Sequence, residues 1–359
     1  MDRTTIDVYD AAAPAYAEAR PGAGAERLAA FSVAVPAGHL RLDLGCGPGL
    51  DLAGLGRPVV GLDASSPMLR EAAQRVPWAP LVRADLTRLP VRAGALGGVW
   101  ASKSLQHVAA GDLPMTLAGV HRAMVLGGPL HLALFAGEGT SRSDGDLPGR
   151  LFTLLSVEDA RDLLTGAGFT VETLEVGGAS RPGSFPSLVA TATRARTLPD
   201  TVAPGMRLLV CGLNPSLYAA DAGVGYARPG NRFWPAVLGA GLATRSHDAD
   251  DLLARSHIGL TDLVKRATAR AESLTAEEYA AGVARVERLC ARLAPRAVCL
   301  VGLAGWRAAV DRRAQPGWQS RRLGPSPVYL MPSTSGLNGR SRPTDFVRHL
   351  QAAAAGPTG

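Results

Sequence analysis

The sequence has no long hydrophobic run. No stretch of it approaches the roughly 18 uninterrupted apolar residues that a transmembrane helix requires, so we expect no membrane partner. Its first residues, MDRTTIDVYDAAAPAYAEARP, also lack the basic-then-apolar order of a secretory signal peptide. We therefore expect a cytoplasmic protein.

Cysteine is scarce. The chain has four cysteines, Cys46, Cys211, Cys290 and Cys299, and no two of them have the C-x-x-C spacing that is typical of zinc and iron–sulfur sites. We therefore predict no metal site, and we interpret the four thiols as buried and reduced.

Lysine is almost absent, because 36 of the 38 basic residues are arginine. Residues 1–200 contain 18 basic and 20 acidic residues, a net charge of −2, whereas residues 201–359 contain 20 and 11, a net charge of +9. A basic half beside a near-neutral half predicts that the second half meets a polyanion such as a nucleic acid. The alternative is a general bias toward arginine, although such a bias does not explain the asymmetry.

The length of 359 residues and the order of the apolar segments predict two α/β domains. Between Leu40 and Ala192, candidate strands alternate with helices that begin near Ser66, Leu113 and Ser156. Such alternation favours a mostly parallel sheet that is covered on both faces. The stretch AGEGTSRSDGDLPGR within it is polar and Gly-rich, so we interpret it as a surface loop.

A second alternation follows a stretch with two prolines and no periodicity, RARTLPDTVAPG. The strands RLLVCG, AVCLVG and PVYLMP then alternate with candidate helices, the last of them DFVRHLQAAAA. We therefore divide the chain into a first domain at 1–195, a linker at 196–204 and a second domain at 205–355.

The segment LDLGCGPG, residues 42–49, is an apolar strand that enters a Gly-rich turn and, on this pattern, opens a helix. Glycines allow the backbone to approach a ligand closely, and a helix N-terminus presents free N–H groups. The next two strands end in Asp63 and Asp85, at the edge where ligands of such sheets bind. These carboxylates can accept hydrogen bonds from ribose hydroxyls and from an adenine amino group. The spacing G-x-G-x-G favours an adenosyl ligand without phosphates over a dinucleotide.

Residues 1–195 resemble the class I S-adenosylmethionine-dependent methyltransferases. The matching segments are LDLGCGPG, GLDASSPML, RADLTRLP, VWASKSLQHV and HRAMVLGGPLHLALF, and YDAAAPAYAEARP resembles the segment that closes over the cofactor. The helix after Gly49 is shorter than is usual in the family. The resemblance implies a Rossmann-like methyltransferase sheet, S-adenosyl-L-methionine as cofactor, and cofactor contacts from Asp43, Gly45, Gly47, Gly49, Asp63 and Asp85.

The sequence does not identify the methyl acceptor. Methyl transfer from a sulfonium needs chiefly the alignment of donor and acceptor, so no catalytic base is required. His107 lies in SLQHV, where an acceptor would be expected, but the alternative is a packed or capping histidine. The chain also has no Pro-Cys dipeptide, which cytosine C5 chemistry would need as its nucleophile.

A second site is indicated where the strand RLLVCG leads into Asn214 and Pro215. A neutral amide at this place can orient a water molecule or a base edge without adding charge. Tyr226, in the following Gly-rich loop, has a flat ring that can stack on a nucleobase. The segment MPSTSGLNGR adds small hydroxyl residues and the apolar Leu337, which suits insertion into a base stack. The alternatives are a simple turn at Asn214 and internal packing of Tyr226 and Leu337.

Residues from about 200 to 355 resemble the mismatch-specific uracil/thymine branch of the uracil-DNA glycosylase superfamily. The segments GLNPS, RPGNRFW, GLTDLVKRAT and MPSTSGLNGR match its conserved blocks in order. The resemblance implies a three-layer α/β domain of the uracil-DNA glycosylase type, which needs no cofactor and flips a mismatched or damaged pyrimidine out of double-stranded DNA. It assigns catalysis to Asn214 and Ser333, the base pocket to Gly212, Ser216 and Tyr226, and DNA contacts to Gly336, Leu337, Asn338 and Arg340.

The resemblance also implies a role for Asn214 in positioning the water that attacks C1′ of the sugar. An amide is a poor base, so turnover should be modest and uracil should be preferred over thymine. Ser216 stands where the family usually has Gly, and its side chain would narrow the space beside C5 of the base. Lys265 is the only lysine in this half, so we expect no Schiff-base lyase step and predict a monofunctional enzyme.

We therefore predict a two-domain DNA repair enzyme, monomeric, that joins a methyltransferase of unknown acceptor to a glycosylase acting on G·U or G·T mismatches. One alternative is a non-catalytic second domain that only binds nucleic acid. Another is a methyltransferase of small metabolites whose fusion to the second domain is incidental.

Overall fold

The chain forms two compact units, and each is described here by itself. Unit 1 comprises residues 1–165 and 169–195, and unit 2 comprises 166–168 and the residues from 196 onward. In the described part of the chain, no helix combines the length and the apolarity that crossing a bilayer requires. The computed structural model describes residues 1–179, 185–339 and 341–357.

Unit 1 alternates strands with helices, as the apolar pattern predicts. The strands pair in the order β3-β2-β1-β4-β5, and these five are parallel to one another. Strand β9 lies antiparallel to both β5 and β8, and β7 continues the sheet beside the end of β5. The strands are β1 (Leu40–Leu44), β2 (Val59–Asp63), β3 (Leu81–Arg83), β4 (Leu96–Ser102), β5 (Pro129–Ala136), β6 (Thr140–Arg142), β7 (Leu151–Leu155), β8 (Phe169–Ala179) and β9 (Pro186–Arg194).

Unit 1 also contains the helices that connect or precede these strands. The three that the sequence predicts near Ser66, Leu113 and Ser156 are confirmed, and two more precede the first strand. Local chemistry explains their starts: Ser65 caps α3 by accepting from the N–H of Met68 at 3.2 Å. The helices are α1 (Arg3–Ala19), α2 (Ala25–Ala34), α3 (Ser66–Arg75), α4 (Leu113–Ala123) and α5 (Val157–Gly166).

Two local predictions for unit 1 are corrected. No α-helix follows Gly49: residues 47–55 form successive turns, because Pro48, Gly54 and the Arg57–Pro58 bond leave too short a span for a stable helix. The polar segment between β5 and β7 is not only a loop, since residues 140–142 pair with β7 as an antiparallel hairpin.

Unit 2 is a second α/β sheet in the order β11-β10-β12-β14-β13. All pairs are parallel except β13–β14. Its strands are β10 (Leu208–Gly212), β11 (Ile258–Asp262), β12 (Val298–Val301), β13 (Gly317–Trp318) and β14 (Val328–Met331). Its helices are α6 (Leu217–Ala222), α7 (Phe233–Gly239), α8 (Ala249–Ser256), α9 (Ala276–Leu293), α10 (Ala304–Ala309) and α11 (Pro343–Ala355).

Alternation along β10 builds the three layers that the sequence predicts. Leu209 and Cys211 face a core that includes residues of α9, whereas Leu208 and Val210 face a core that includes residues of α7 and α11. Both faces of the sheet are therefore buried, which is why β10 is a continuous apolar run in the sequence. The α/β fold class predicted for both halves is confirmed.

The stretch predicted as a linker, residues 196–204, instead packs within unit 2. Val202 is fully buried, and Thr201 pairs with Leu260 of β11 in both backbone directions, at 2.8 and 2.9 Å. Asp200 is also buried and accepts hydrogen bonds from Lys265 and Arg285. The segment has no periodicity because its backbone is irregular. It is nevertheless largely buried, so the lack of periodicity does not by itself indicate a linker.

All four cysteines are buried and carry free thiols, as predicted. Burial raises the pKa of each thiol, most strongly for Cys46 and Cys211. Within the described ranges, no group of three or more His, Cys, Asp or Glu side chains is arranged to hold a metal ion.

Candidate functional sites

The Gly-rich loop of unit 1 needs its glycines for conformation and for space. Gly45, Gly47 and Gly49 have φ values of 77°, 52° and 76°, which side-chain-bearing residues rarely adopt. A Cβ on Gly45 would collide with Ser104, and one on Gly49 would lie 3.0 Å from the Cβ of Ala72. A Cβ on Gly47 would meet no atom within 4 Å, because Gly47 borders a cavity.

That cavity has a volume of about 640 Å³ and lies at the carboxyl ends of β1, β2 and β4. Asp63, at the end of β2, lies in its wall and accepts from the N–H groups of Gly47 at 2.9 Å and Ser65 at 2.8 Å. Burial raises the pKa of Asp63, whereas these N–H groups lower it. The predicted residues Asp43, Gly45, Gly47 and Asp63 all line the cavity.

Asp43 gives the cavity an uncompensated carboxylate. It is buried and has no hydrogen-bond partner in the described part of the chain. Burial raises the pKa of Asp43 well above its usual range, and the nearby charges of Asp51 and Asp63 raise it further. Such a group favours a cationic ligand, because a positive charge would offset both effects.

Gly49 and Asp85 are not brought to the cavity. Gly49 packs against α3, and Asp85 pairs with the amino group of Met1 at 2.7 Å. The other oxygen of Asp85 accepts from the N–H and the hydroxyl of Thr87, both at 2.8 Å. Sequence spacing does not reveal these partners of Asp85, and its contact with adenine stays a prediction.

The first helix also lines the cavity, which fits the resemblance of this segment to one that closes over a ligand. Tyr9 of α1 donates to Nε2 of His107 at 2.9 Å and accepts from Arg150 at 3.1 Å. Nδ1 of His107 donates to the carbonyl of Leu151 at 2.7 Å. Burial lowers the pKa of His107 to about 4, so its ring is neutral. Both nitrogens are engaged, which favours the packed histidine over a catalytic one.

In unit 2, Asn214 follows β10 and is held by its amide nitrogen. Nδ2 donates to the carbonyl of Arg266 at 3.0 Å and to the hydroxyl of Thr268 at 2.8 Å. A carbonyl oxygen can only accept, so the NH₂ group must face these partners and Oδ1 must face away. Oδ1 has no partner in the described part of the chain. Asn214 is therefore more than a simple turn: it presents a fixed acceptor.

Gly212, Asp262 and Tyr226 meet beside this amide. A Cβ on Gly212 would collide with Oδ1 of Asp262 and would lie 3.0 Å from the hydroxyl of Tyr226. That hydroxyl is buried without a partner, and the carboxylate of Asp262 has no hydrogen bond in the described ranges. Burial raises the pKa of Asp262 to about 6. Tyr226 stacks one ring face on Phe233, with centroids 3.9 Å apart, so the internal packing left open from the sequence holds for that face.

The two predicted serines have local roles. Ser216 caps α6 by accepting from the N–H of Ala219 at 3.1 Å. Ser333 is exposed and follows β14, and its hydroxyl accepts from the N–H of Ser335 at 3.3 Å. Because β10 and β14 flank β12 in a parallel sheet, Asn214 and Ser333 follow strand ends about 10 Å apart.

The loop after β14 carries an exposed leucine. Leu337 is 89% exposed, so the alternative of a buried leucine is excluded. Gly336 sits close against the backbone of Gly230, and Asn338 donates to the carbonyl of Ser333 at 2.8 Å. Arg232 donates to the carbonyls of Ser335 and Asn338, and these two hydrogen bonds hold the loop in place. Arg340 lies outside the described residues.

Some site features were missed from the sequence. Lys103 and Arg150 line the cavity of unit 1 and Asp262 borders Gly212, but none of them was singled out. A signal existed for Asp262, since it ends a strand beside the one that leads into Asn214. None existed for Arg150, because its partner Tyr9 lies 141 residues away.

Comparison with known proteins agrees with this division. Residues 42–128 match the family model of a methyltransferase domain, and residues 199–354 match that of the uracil DNA glycosylase superfamily.

Solved structures similar to this chain include an S-adenosylmethionine-dependent methyltransferase from Methanosarcina mazei, with 18% identity over 46% of this chain and 97% of its own, and a TM-score of 0.42. Another is the 1,6-didemethyltoxoflavin-N1-methyltransferase of Burkholderia thailandensis, solved with 1,6-didemethyltoxoflavin and S-adenosylhomocysteine. It has 21% identity over 54% of this chain and 88% of its own, with a TM-score of 0.43. A methyltransferase domain and a uracil DNA glycosylase superfamily domain are therefore present in this chain, in that order.

Proposed function

We propose that unit 2 hydrolyses the N-glycosidic bond of uracil, and more slowly of thymine, opposite guanine in double-stranded DNA. The observation that carries this proposal is the geometry of Asn214. Its NH₂ group is fixed by Arg266 and Thr268, so its Oδ1 is a preset acceptor at the tip of β10. A water molecule that donates to Oδ1 is oriented for attack on C1′ of the sugar.

The reaction follows from these groups. The bond between C1′ and the base nitrogen breaks as the sugar gains oxocarbenium character, and the water oxygen bonds to C1′. The base leaves as an anion that takes up a proton afterwards, so better leaving groups react faster, and uracil precedes thymine. Backbone N–H groups around the pocket stabilise the departing charge.

Residues around Asn214 suit an extruded base. Gly212 has no side chain, which allows Asp262 and Tyr226 to approach the end of β10 closely. We assign the face of Tyr226 that is not stacked on Phe233 to the base, and Ser333 to the sugar or base edge. Leu337 would fill the gap left in the duplex, because an exposed apolar tip can replace the lost stacking. Gly336, Asn338 and Arg340 complete the proposed DNA contacts.

Lys265 supports a monofunctional reaction that leaves an abasic site. Its amine donates to Asp200 at 2.7 Å and its side chain is only 8% exposed. A lysine that is enclosed and paired with a carboxylate in this way is not available to attack the sugar, which disfavours Schiff-base chemistry.

The test uses a labelled duplex with one G·U pair, treated with the full-length protein and then with alkali. We expect strand breakage at the uracil, and a loss of roughly 100-fold or more for Asn214→Ala. Gln315→Ala, which removes an exposed amide of the same unit, is the matched control and should retain activity. Full activity in Asn214→Ala would contradict the assignment. Duplex binding without base release by the wild type would favour the non-catalytic alternative.

We also propose that unit 1 transfers a methyl group from S-adenosyl-L-methionine to an acceptor. The cavity fits that cofactor in three respects: open space above Gly47, the partnerless carboxylate of Asp43, and Asp63 at the end of β2. The cofactor supplies the methyl group when it is bound. Asp63 would hold its ribose hydroxyls, and Asp43 would favour its positive charge.

Calorimetry with S-adenosyl-L-methionine tests this second proposal. We expect binding to the wild type and a loss of about tenfold to 100-fold in affinity for Asp63→Ala, since charge-assisted hydrogen bonds are removed. Asp7→Ala is the control, because Asp7 is an exposed carboxylate of α1. Absence of binding to the folded wild type would refute the proposal.

A further inference from the structure

The chain has only two lysines, and they occupy opposite electrostatic settings. Lys265 is neutralised by Asp200 in unit 2. Lys103 lines the cavity of unit 1 and, in the described ranges, has no carboxylate within 4.0 Å of its Nζ. Its one hydrogen bond is donated to the carbonyl of Leu134 at 2.7 Å. Among the described residues, the ammonium group therefore has unused donors and no counter-charge.

Lys103 is also held in an unfavourable backbone conformation. It directly follows β4 and has a φ of 57°, which is an unfavourable backbone conformation for a non-glycine residue. Such strain persists where surrounding structure fixes the position, and it is concentrated at ligand sites. Here the conformation places the side chain across the carboxyl edge of the sheet, with Nζ 4.1 Å from the ring centre of Phe135.

Three phenylalanines surround this part of the cavity. The ring centres of Phe135, Phe152 and Phe185 are separated by 5.3, 5.9 and 6.1 Å, and all three residues line the cavity. Aromatic walls of this kind bind flat apolar rings in offset or edge-on arrangements. They also exclude water, so a charge facing the lysine would interact strongly with it.

The charges of the groups near Lys103 also favour an anionic ligand. Burial, together with the charge of Arg27, lowers the pKa of Lys103 to about 8. The neighbouring His131 stacks on Trp100 and is neutral, because burial lowers its pKa to about 4. The acidic Asp51 is already engaged by Trp100 at 2.9 Å and by the N–H of Ala23 at 2.7 Å. An anionic ligand would supply what this half of the cavity lacks.

We propose that the acceptor half of the cavity binds a flat aromatic anion, with the ring against Phe135, Phe152 and Phe185 and the acidic oxygen at Nζ of Lys103. This assignment of the acceptor class rests on the proposed methyltransferase function of unit 1. It commits to a carboxylate or phenolate of an aromatic ring, rather than to a neutral amide or an amine.

Two probes of nearly equal shape test the proposal by direct binding: 2-naphthoate and 2-naphthamide. We expect the wild type to bind the carboxylate at least about tenfold more tightly, since one charge-assisted hydrogen bond separates them. Lys103→Met should remove this preference and Lys103→Arg should keep it. Arg92→Met, which removes an exposed cation of the same unit, is the control. Equal binding of both probes, or an unchanged preference in Lys103→Met, would overturn the proposal.

A second readout does not depend on any variant. Acetylation of the wild type by acetic anhydride, followed by peptide mass spectrometry, reports each lysine separately. We expect 2-naphthoate to slow the labelling of Lys103 and to leave that of Lys265 unchanged. Parallel calorimetry of the wild type with S-adenosyl-L-methionine separates the outcomes: cofactor binding without naphthoate preference refutes only the acceptor class, and the converse refutes only the cofactor.

Discussion

The buried carboxyl group of Asp262 makes the stability of the folded protein depend on pH. It ends β11 beside Gly212 and has no hydrogen-bond partner in the described ranges. Burial raises its pKa from 3.8 to about 6, which Asp200 reinforces and Lys265 opposes. The native state therefore binds this proton more tightly than the unfolded state does, so the group lowers stability as pH rises from about 4 to about 6.

We predict that Asp262→Asn raises the free energy of unfolding above pH 6 by about 1–3 kcal/mol, because an amide carries no ionisation cost. Urea unfolding of the full chain at pH 4 and pH 7 measures the difference, which should be small at pH 4. Asp311→Asn, at an exposed aspartate, is the control and should change little at either pH. An equal effect of Asp262→Asn at both pH values would show that ionisation is not the cause.

At the residue scale, sequence reasoning succeeds where a role depends on the backbone of neighbours along the chain. Gly45 and Gly47 are identifiable because a tight turn after a strand needs positive φ. The pairing of Asp85 with the amino group of Met1 was not predictable, because the two residues lie 84 positions apart. The Oδ1 of Asn214 was expected to accept from water, but the groups that aim it, Arg266 and Thr268, belong to a distant loop.

At the scale of elements, the segment 196–204 is anchored by one buried carboxylate. Asp200 accepts from Lys265 at 2.7 Å, Arg285 at 2.8 Å and Thr261 at 2.7 Å. These partners lie after β11, on α9 and within β11. The strong pairing lowers the pKa of Asp200 although burial opposes this. The group thus joins the start of unit 2 to its edge strand and its longest helix.

We predict that Asp200→Ala lowers the free energy of unfolding by about 3–5 kcal/mol, since it leaves buried cations without their carboxylate. Asp221→Ala breaks an exposed pair with Arg196 and should cost less than about 1 kcal/mol. Urea titration of both variants at neutral pH makes the comparison. Similar small losses in the two variants would mean that the buried network contributes little.

Strands β10, β12 and β14 were predictable because each is a short apolar run. Strands β11 and β13 and several helices of unit 2 were missed. Helix α9 is the largest omission, although its capping box of Thr275 and Glu278 is visible in the sequence. Helices α6 and α8 are too short for a clear hydrophobic period. The helix after Gly49, which is absent, was predicted from an apolar strand that enters a Gly-rich turn, and local proline and glycine content overrode that pattern.

At the scale of the whole molecule, the two halves differ in net charge, and binding of the two proposed ligands should therefore differ in its dependence on salt. Residues 201–359 carry a net charge of +9 and residues 1–200 carry −2. DNA binding by a basic surface releases counterions and weakens with salt, whereas binding in an enclosed cavity does not depend on counterion release. The division into two domains was predictable from the order of the apolar segments. The Gly-rich side of the cavity was predictable too, but the side lined by Lys103, Arg150 and Phe152 was not, since these residues are distant from it in sequence.

We predict that affinity for a G·U duplex falls roughly 100-fold between about 50 and 200 mM salt, as four phosphate contacts would require. Affinity for S-adenosyl-L-methionine should change less than about threefold over the same range, because that ligand has no condensed counterions. Fluorescence anisotropy and calorimetry on one preparation provide both curves. A flat salt response for the duplex would argue against a phosphate-binding surface on unit 2.

The buried thiols have a practical consequence. A shielded cysteine reacts with an alkylating reagent only when the surrounding structure opens, because the reagent attacks the thiolate and needs access to it. Cys46 lies in unit 1, whereas Cys211, Cys290 and Cys299 lie in unit 2. The rate of alkylation of each cysteine in a pulse of reagent would thus report the rate at which the surrounding half of the protein opens, without any introduced label.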